Sequence, residues 1–457
     1  MPFYRTLKLT SVFIIFWYLF YSEGAAQETI PYYLLPDIPQ STLYNPAYQN
    51  KTEKLVIGIP VLSGVHGTVE MNVPFNSLFS KGFSYDLNSF YNAMDKRGIA
   101  KGAAGITLFF TSFRHNEYTY SLSVSERSIS EGSFDREIVK VIRDGIEGYY
   151  GSFENLGTAS FNFNYFREVA PGISKQLSEK MDAGVRLKIL FGKLFFDIRD
   201  ANFLVETDQD KKQVNIQIDG SYKFSGPFIH RRDTIFNFSS FDAKMTPADY
   251  FFGAKNLGLA FDAGIVWRPG QFAEVSLSLT DIGFTGYKKN LYDVEFTRPV
   301  RYSESSLYQS DKPGHSNYIE PREALKDFGD SISYIIEVDD AVYRKIVRLP
   351  FKLNTSARYN FSANLSGGFS NQIIYYNNVL SNFLSVHLNR SISRRTQLAG
   401  SLSLYDLTSV YPGVAISSTF KRSQFFLTTN NILGILDPTA SKHVNLCFGI
   451  NFLFDKQ

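Results

Sequence analysis

The chain has 457 residues, of which 44% are hydrophobic and 16% aromatic, with 42 Phe and 28 Tyr beside 2 Trp. Its 47 basic and 44 acidic residues are interspersed for a net charge of +3, so no basic stripe points to nucleic acid. One cysteine, Cys447, excludes an internal disulfide and a Cys-based metal cluster.

Arg5 and Lys8, the apolar run from Ser11 to Tyr21 and the small residues Gly24, Ala25 and Ala26 predict a secretory signal over residues 1–26. After it no apolar stretch reaches the roughly 20 residues of a spanning helix, which excludes a helical membrane protein. Residues 27–50 contain Pro31, Pro36, Pro39 and Pro46, each of which withholds a ladder donor, so this segment is expected to be irregular. Its Tyr32, Tyr33, Leu34, Leu35, Leu43 and Tyr44 are too apolar to lie free in water.

Leu55 to Val61 and Thr68 to Phe75 are weak strand candidates, and Tyr85 to Arg97 has helical spacing. Alternation then begins: Ile106, Leu108 and Phe110 precede Arg114-His115, and Tyr118, Tyr120, Leu122 and Val124 alternate with Thr119, Ser121, Ser123 and Ser125. Residues 134–146 read as a helical insertion. Phe161, Phe163 and Tyr165 alternate with Asn162 and Asn164. Ala183, Val185, Leu187, Ile189 and Phe191 oppose a polar parity with Asp182, Arg186 and Lys188. Residues 214–224 read as one strand, and 258–280 as a hairpin turning at Arg268-Pro269-Gly270-Gln271. The stretch from Tyr287 to Val347, above all Arg301 to Asp327, reads as a long polar loop.

The last third predicts a run of strands: 351–361, 364–375, 383–389, 397–405, 411–420, 424–429 and 444–454. In the last, Val444, Leu446, Phe448, Ile450, Phe452 and Phe454 share one parity against Asn445, Cys447, Gly449 and Asn451. Eleven residues at about 3.3 Å each, tilted near 40°, stand about 27 Å tall, close to the hydrocarbon thickness of a bilayer. The fold expected is all-β: one transmembrane antiparallel barrel of about 14 strands over residues 51–457, with small helical insertions. Outward positions should include Tyr120, Phe163, Ile216, Phe261, Leu277, Tyr359, Leu402 and Phe448. Inward ones should include Ser121, Asn162, Gln217, Asp262, Ser276, Arg358 and Ser403, with Ser276 tolerant of Arg if the lumen is wet. A fragment recurs as DAGVRL from Asp182 and DAGIVW from Asp262 at an irregular period.

Three stretches, LLPDIPQSTLYNPAY, GVRLKILFGKL with LVETDQDKKQVNIQIDGSYKF, and NNILGILDPTASKHVNLCFGINFLF, together resemble a Bacteroidetes outer-membrane barrel family of unknown function. That family looks related to barrels of the long-chain fatty-acid transporter type and to accessory barrels of type IX secretion. The resemblance implies the outer membrane, membrane lipid as surroundings, and no catalytic residue. One departure is that Asp455-Lys456-Gln457 follow the terminal aromatic Phe454.

The six histidines, His66, His115, His230, His315, His387 and His443, lie far apart without metal-ligand spacing, and no nucleophile elbow or phosphate loop occurs. No enzyme, cofactor or metal is therefore expected. The first functional reading is passage or binding of a small hydrophobic molecule, with Tyr32, Tyr33, Leu35, Tyr44, Asn45 and Pro46 as a candidate lumen plug. The alternative is a non-transport scaffold that partners secretion or surface proteins through the loop from Arg301 to Asp327.

Overall fold

The computed structural model describes residues 31–48, 53–78, 86–144, 152–208, 213–227, 246, 253–296, 300–303, 336–340, 343–406 and 408–456. The expected signal at 1–26 and nearly all of the polar loop at 301–327 lie outside them. Two strands open the sheet, β1 (Glu53–Gly58) and β2 (Val65–Met71). They are followed by β3 (Arg97–His115), β4 (Tyr118–Asp135), β5 (Phe153–Ser178) and β6 (Met181–Asp208). Then come β7 (Gln213–Asp219), β8 (Ser221–Ser225), β9 (Leu257–Trp267) and β10 (Ala273–Tyr287). Short strands β11 (Leu291–Phe296), β12 (Val300–Ser303), β13 (Ile336–Asp340) and β14 (Lys345–Arg348) lead into β15 (Phe351–Ser362) and β16 (Leu365–Tyr376). The chain closes with β17 (Val379–Ser393), β18 (Thr396–Tyr405), β19 (Ser409–Phe420), β20 (Ser423–Thr429) and β21 (His443–Lys456).

All these strands belong to one sheet, and fourteen staves of it close into an antiparallel barrel. The ring runs β3, β4, β5, β6, β9, β10, then β15 through β21. The last stave is an interrupted strand, β1 with β2, lying between β21 and β3. Closure leaves no edge, the condition for a sheet whose backbone polar groups must all pair in lipid. One end carries the tight turns at 116–117, 179–180, 363–364, 394–395 and 421–422, while that at 377–378 lies at the other. The other carries most of the longer connections, including helices Phe75–Leu78, Leu87–Ala93, Arg136–Asp144 and Ile432–Leu436.

The two faces alternate as the sequence pattern requires. Tyr120, Phe261, Leu277, Tyr359 and Leu402 are 41–56% exposed on the outer face, while Asp262, Ser276 and Ser403 are at most 3% exposed on the inner one. Phe163 and Phe448 are half-exposed, and Asn162 is buried inside. Ser121 shares the inward parity of buried Ser123 and Ser125, and Arg358 bonds Glu274 at 3.1 Å within the barrel.

Three readings change. The strand expected over 214–224 is broken at Gly220, where φ is +157°, and β7 and β8 pair with different stretches of β6. Gln217, expected inward, is exposed: β7 pairs with β6 beyond the stretch that β9 covers, and there the buried face is the opposite one, which carries Ile218 at 4% exposure; the Ile216 side chain lies outside the described residues. The stretch 287–347 is not all loop, since β11 pairs with β8 and β13, and β14 with β10. These strands pair beyond the ring of fourteen staves, and β11 buries Leu291, Tyr292 and Val294, so the polar composition of the stretch hid a ladder.

Candidate functional site: the barrel interior

Residues 31–48 run inside the barrel without joining the sheet. Proline placement allows only short 3-10 turns, Tyr32–Leu34 and Pro39–Leu43, the second opening on Pro39. Tyr32, Tyr33, Leu34, Leu35, Ile38, Tyr44, Ala47 and Tyr48 are buried in one cluster with inward side chains of the opposite walls, among them Val266, Phe383, Tyr405 and Phe426. Burying each large side chain of this kind is worth about 1.5–3 kcal/mol. Room for the rings comes from a row of small inward residues that stand opposite one another across five staves: Ser276, Ser356, Ser370, Ser385 and Ser403. The Tyr48 hydroxyl donates to Ser276 Oγ at 3.3 Å.

The segment's own carbonyls are satisfied by the wall. Arg186 donates to the Thr42 carbonyl at 2.7 Å, and Ser278 and Asn354 donate to that of Tyr44 at 2.7 and 3.2 Å. Gln40 and Asn451 exchange side-chain hydrogen bonds of 2.6 and 2.9 Å. Gln397 reaches Asp37 at 3.0 Å, and Asn389 donates to the Leu34 carbonyl.

Asn45 and Pro46 press hardest on the wall. Asn45 Nδ2 donates to the carbonyls of Ile265 at 3.2 Å and Leu277 at 3.4 Å, while its Oδ1 accepts from Ala47 N at 2.9 Å. The two residues lie over Gly184 and Gly264, which are direct partners in the β6–β9 ladder; a Cβ on either would collide with Pro46 or Asn45. These are the glycines of the recurring Asp-Ala-Gly fragment. The repeat that sequence alone could only describe is thus the two halves of one socket. On its outer side the same patch forms an apolar depression of about 470 Å³ lined by Val185, Ile265, Leu277 and Leu279.

Above the segment lies a belt of buried charge. Asp281 sits at a bulge of β10 in the left-handed region, φ +61°, and its amide donates to Asp262 Oδ1 at 2.8 Å. Its carboxylate accepts two hydrogen bonds of 3.0 Å from Arg127, one of 2.5 Å from Lys188, and pairs with Lys352 at 3.2 Å. Glu168 accepts from Arg127 at 2.7 Å, and Asp262 pairs with Arg186 at 3.0 Å and Lys188 at 2.9 Å. The parity of Arg186, Lys188 and Asp262 marked them as inward in the sequence. Their partners could not be read there, because the belt draws on β4, β5, β6, β9, β10 and β15.

Between belt and segment is a pocket of about 60 Å³, and toward the end with longer connections the interior widens. One space of about 900 Å³ is lined by Glu131, Phe161, Asp197, Lys345 and Tyr376, another of about 1170 Å³ by Glu70, Met94, Lys101 and Arg136, and Arg97 borders both. The six expected residues are therefore brought together: Tyr32, Tyr33, Leu35, Tyr44, Asn45 and Pro46 are all buried inside the barrel. Of the histidines, His66 lines the small pocket and His387 lies 5.7 Å from the Tyr33 ring. His230 and His315 lie outside the described residues. Among those described, no group of three or more His, Cys, Asp or Glu is placed to hold a metal.

Residues 46–430 match the model of a protein family of unknown function. The chain belongs to the DUF5723 family. No curated protein matches it in sequence. Among solved structures, this DUF5723 chain is similar to a deletion mutant of the TodX monoaromatic hydrocarbon channel, at 8% identity, TM-score 0.46, covering 91% of this chain and 94% of that one. It is also similar to a Pseudomonas aeruginosa FadL homologue, at 9% identity, TM-score 0.45, covering 92% and 95%. The Ralstonia pickettii toluene transporter TbuX aligns at 8% identity, TM-score 0.44, covering 92% and 94%.

Proposed function

We propose that this DUF5723 barrel resides in an outer membrane and binds or passes a small hydrophobic molecule, with its N-terminal segment as a plug of the lumen. In this reading residues 1–26 are a cleaved signal, 27–50 the plug and 51–457 the barrel. The observation that carries the proposal is that residues 31–48 fill the lumen yet contribute no ladder pair among the described residues, so the fourteen staves are complete without them. An element that stabilised the wall would be expected to pair with it; this one is held by side-chain contacts that can be exchanged one at a time. The apolar outer face supports residence in lipid, and the tight turns would face the periplasm, as in other outer-membrane barrels.

The test is removal of residues 30–45 from the chain, with the product reconstituted in liposomes. The barrel should keep its heat-modifiable gel mobility, and permeability to small aromatic solutes should rise well above that of the intact protein. A folded but equally tight barrel would overturn the plug. Equal gains for sugars and for toluene-sized hydrocarbons would overturn the hydrophobic ligand.

A further inference from the structure

We infer that the tight-turn end of β17 to β20 is a docking surface for one anionic phospholipid, its phosphate on the cations of the turns and its hydrocarbon along the outer wall. On the outer face, directly opposed residues of five staves form the row Leu365, Arg390, Leu398, Ile416 and Leu427. The four apolar members are 36–45% exposed, and along its own strand Arg390 stands between Leu388 and Ile392, at 59% and 60%. Arg390 is exposed too and shares their parity. A guanidinium in an apolar outward row is costly in lipid unless the side chain bends to headgroup level and meets an anion there.

More cations stand at that level. β17 ends in the turn Arg394-Arg395 and β19 in the turn Lys421-Arg422, and the two are joined by the Thr419 amide, which donates to the Arg395 carbonyl at 2.8 Å. All four side chains are exposed. Lys421 lies 5.7 Å from the centre of the Phe420 ring and Arg422 5.7 Å from that of Phe454. Among the described residues no carboxylate pairs with any of the five cations. From 389 to 424 the one acidic residue is Asp406, at the far end of β18, and Asp37 reaches the tight-turn end from inside, where Gln397 holds it at 3.0 Å. Other turns at this end are mixed: Glu117 follows Arg114 and His115, Glu179 precedes Lys180, and Arg268 pairs with Asp182 and Glu274. Neighbouring strands lie about 4.8 Å apart, so Arg390 and Lys421 are about 10 Å apart laterally and long side chains can converge on one phosphodiester. A zwitterionic head would bring its own ammonium against the arginines. An acidic protein would answer the cations but not Ile392 and Phe420, which stand beside them at 60% and 65% exposure. The site rests on the wall standing in a bilayer and not on any ligand of the lumen.

The test uses the full chain in neutral detergent micelles, with its fold checked by heat-modifiable gel mobility. Dioleoylphosphatidylglycerol or dioleoylphosphatidylcholine is added at equal mole ratio, and retained lipid is counted by native mass spectrometry. The unaltered protein should hold one phosphatidylglycerol with about tenfold preference over phosphatidylcholine. Arg390→Leu, which completes the apolar row, should lower that preference several-fold. Changing Arg394, Arg395, Lys421 and Arg422 together to Gln should abolish it, while Lys180→Gln, on a turn outside the patch, should leave it intact. Equal retention of the two lipids by the unaltered protein, a result that no variant's folding can affect, overturns the site. So does an undiminished preference in folded Arg390→Leu. Displacement of the bound phosphatidylglycerol by hexaglutamate would assign the cations to an acidic protein segment and overturn the lipid.

Discussion

A β-carbon on Gly264 would fall where the Asn45 side-chain oxygen now lies, and the atoms it would meet include the Pro46 ring. The cost of adding that carbon falls on the segment, because the strand itself is regular there and tolerates any side chain. Gly264→Ala should therefore loosen residues 31–48 while leaving the barrel folded. Limited proteolysis should cut the variant within that segment at protease concentrations that spare the unaltered protein, and equal resistance would show that the socket does not hold it. On the opposite face the cost changes kind. Leu277 is 41% exposed among apolar outward neighbours, so Leu277→Arg should destabilise the barrel by about 2–4 kcal/mol if the position is near the bilayer midplane, read as a shift in urea-unfolding free energy in liposomes. Its neighbour Ser276 does not offer the tolerant contrast expected of a wet lumen: it is 3% exposed beneath the Tyr48 hydroxyl and 2.7 Å from Ser356 Oγ, where an arginine has no space. The inner face is polar without being open.

Among the elements, the staves from β15 to β21 were legible almost to their ends, because the apolar outer parity and the polar inner parity persist along the strand, except β17, of which only 383–389 was read although the strand runs Val379–Ser393. Of the long strands, β5 was legible only around Phe161 to Tyr165 and β6 only over its first part, to Phe191. Past Asp200 and before Phe161 the ladder continues, but Leu156 and Val205 are buried in a cluster with Ile138 and Val141 of helix Arg136–Asp144, so the apolar positions there answer to that local packing rather than to the alternation of the barrel wall. The segment 31–48 was readable from its conflict between proline and apolar content, whereas its socket and the charge belt were not. A partner four staves away, as Asp281 is from Arg127, leaves no trace in local pattern, and the bulge that turns Asp281 inward looks like ordinary polar sequence. Helix Leu87–Ala93 was readable from its spacing, and its start is fixed by Asp86, whose carboxylate accepts from the Ser89 amide at 2.9 Å. That hydrogen bond holds the Asp86 carboxyl below its ordinary value of 3.8. A depressed folded value means the cap's contribution is full above the ordinary value and is lost as pH falls through the lower one. Amide protection at Phe90 and Met94 should accordingly drop on acidification below pH 3.8. In Asp86→Ala it should start lower and show no such step, and a step of equal size in both proteins would remove Asp86 from the account.

For the whole molecule the decisive feature is the seam where the chain's two ends meet. The last strand, β21, is paired on one side with β20 over residues 423–428 and on the other with the two pieces of the interrupted stave. The piece at the tight-turn end, β1, matches Leu55 with Phe454, Ile57 with Phe452 and Gly58 with Asn451, so closing the ring brings together residues about 400 positions apart. Entropy makes such contacts the slowest to form, and without them the sheet would present two open edges to lipid. Asp455 and Lys456 after the terminal aromatic do not disturb this, because β21 runs on to Lys456 and its last pair is with Glu53. Closure can be fixed covalently. In a Cys447→Ser background, which removes the one native thiol, Ile57→Cys with Phe452→Cys places two sulfurs on directly opposed positions of the seam. Oxidation of the folded protein should join them in high yield, and the oxidised form should keep the compact gel mobility to a higher temperature than its reduced counterpart. A control pair shifted by one residue, Ile57→Cys with Leu453→Cys, puts the sulfurs on opposite faces of the sheet and should stay reduced. Efficient bonding of the control, or none in the matched pair, would mean that the barrel does not close in this register.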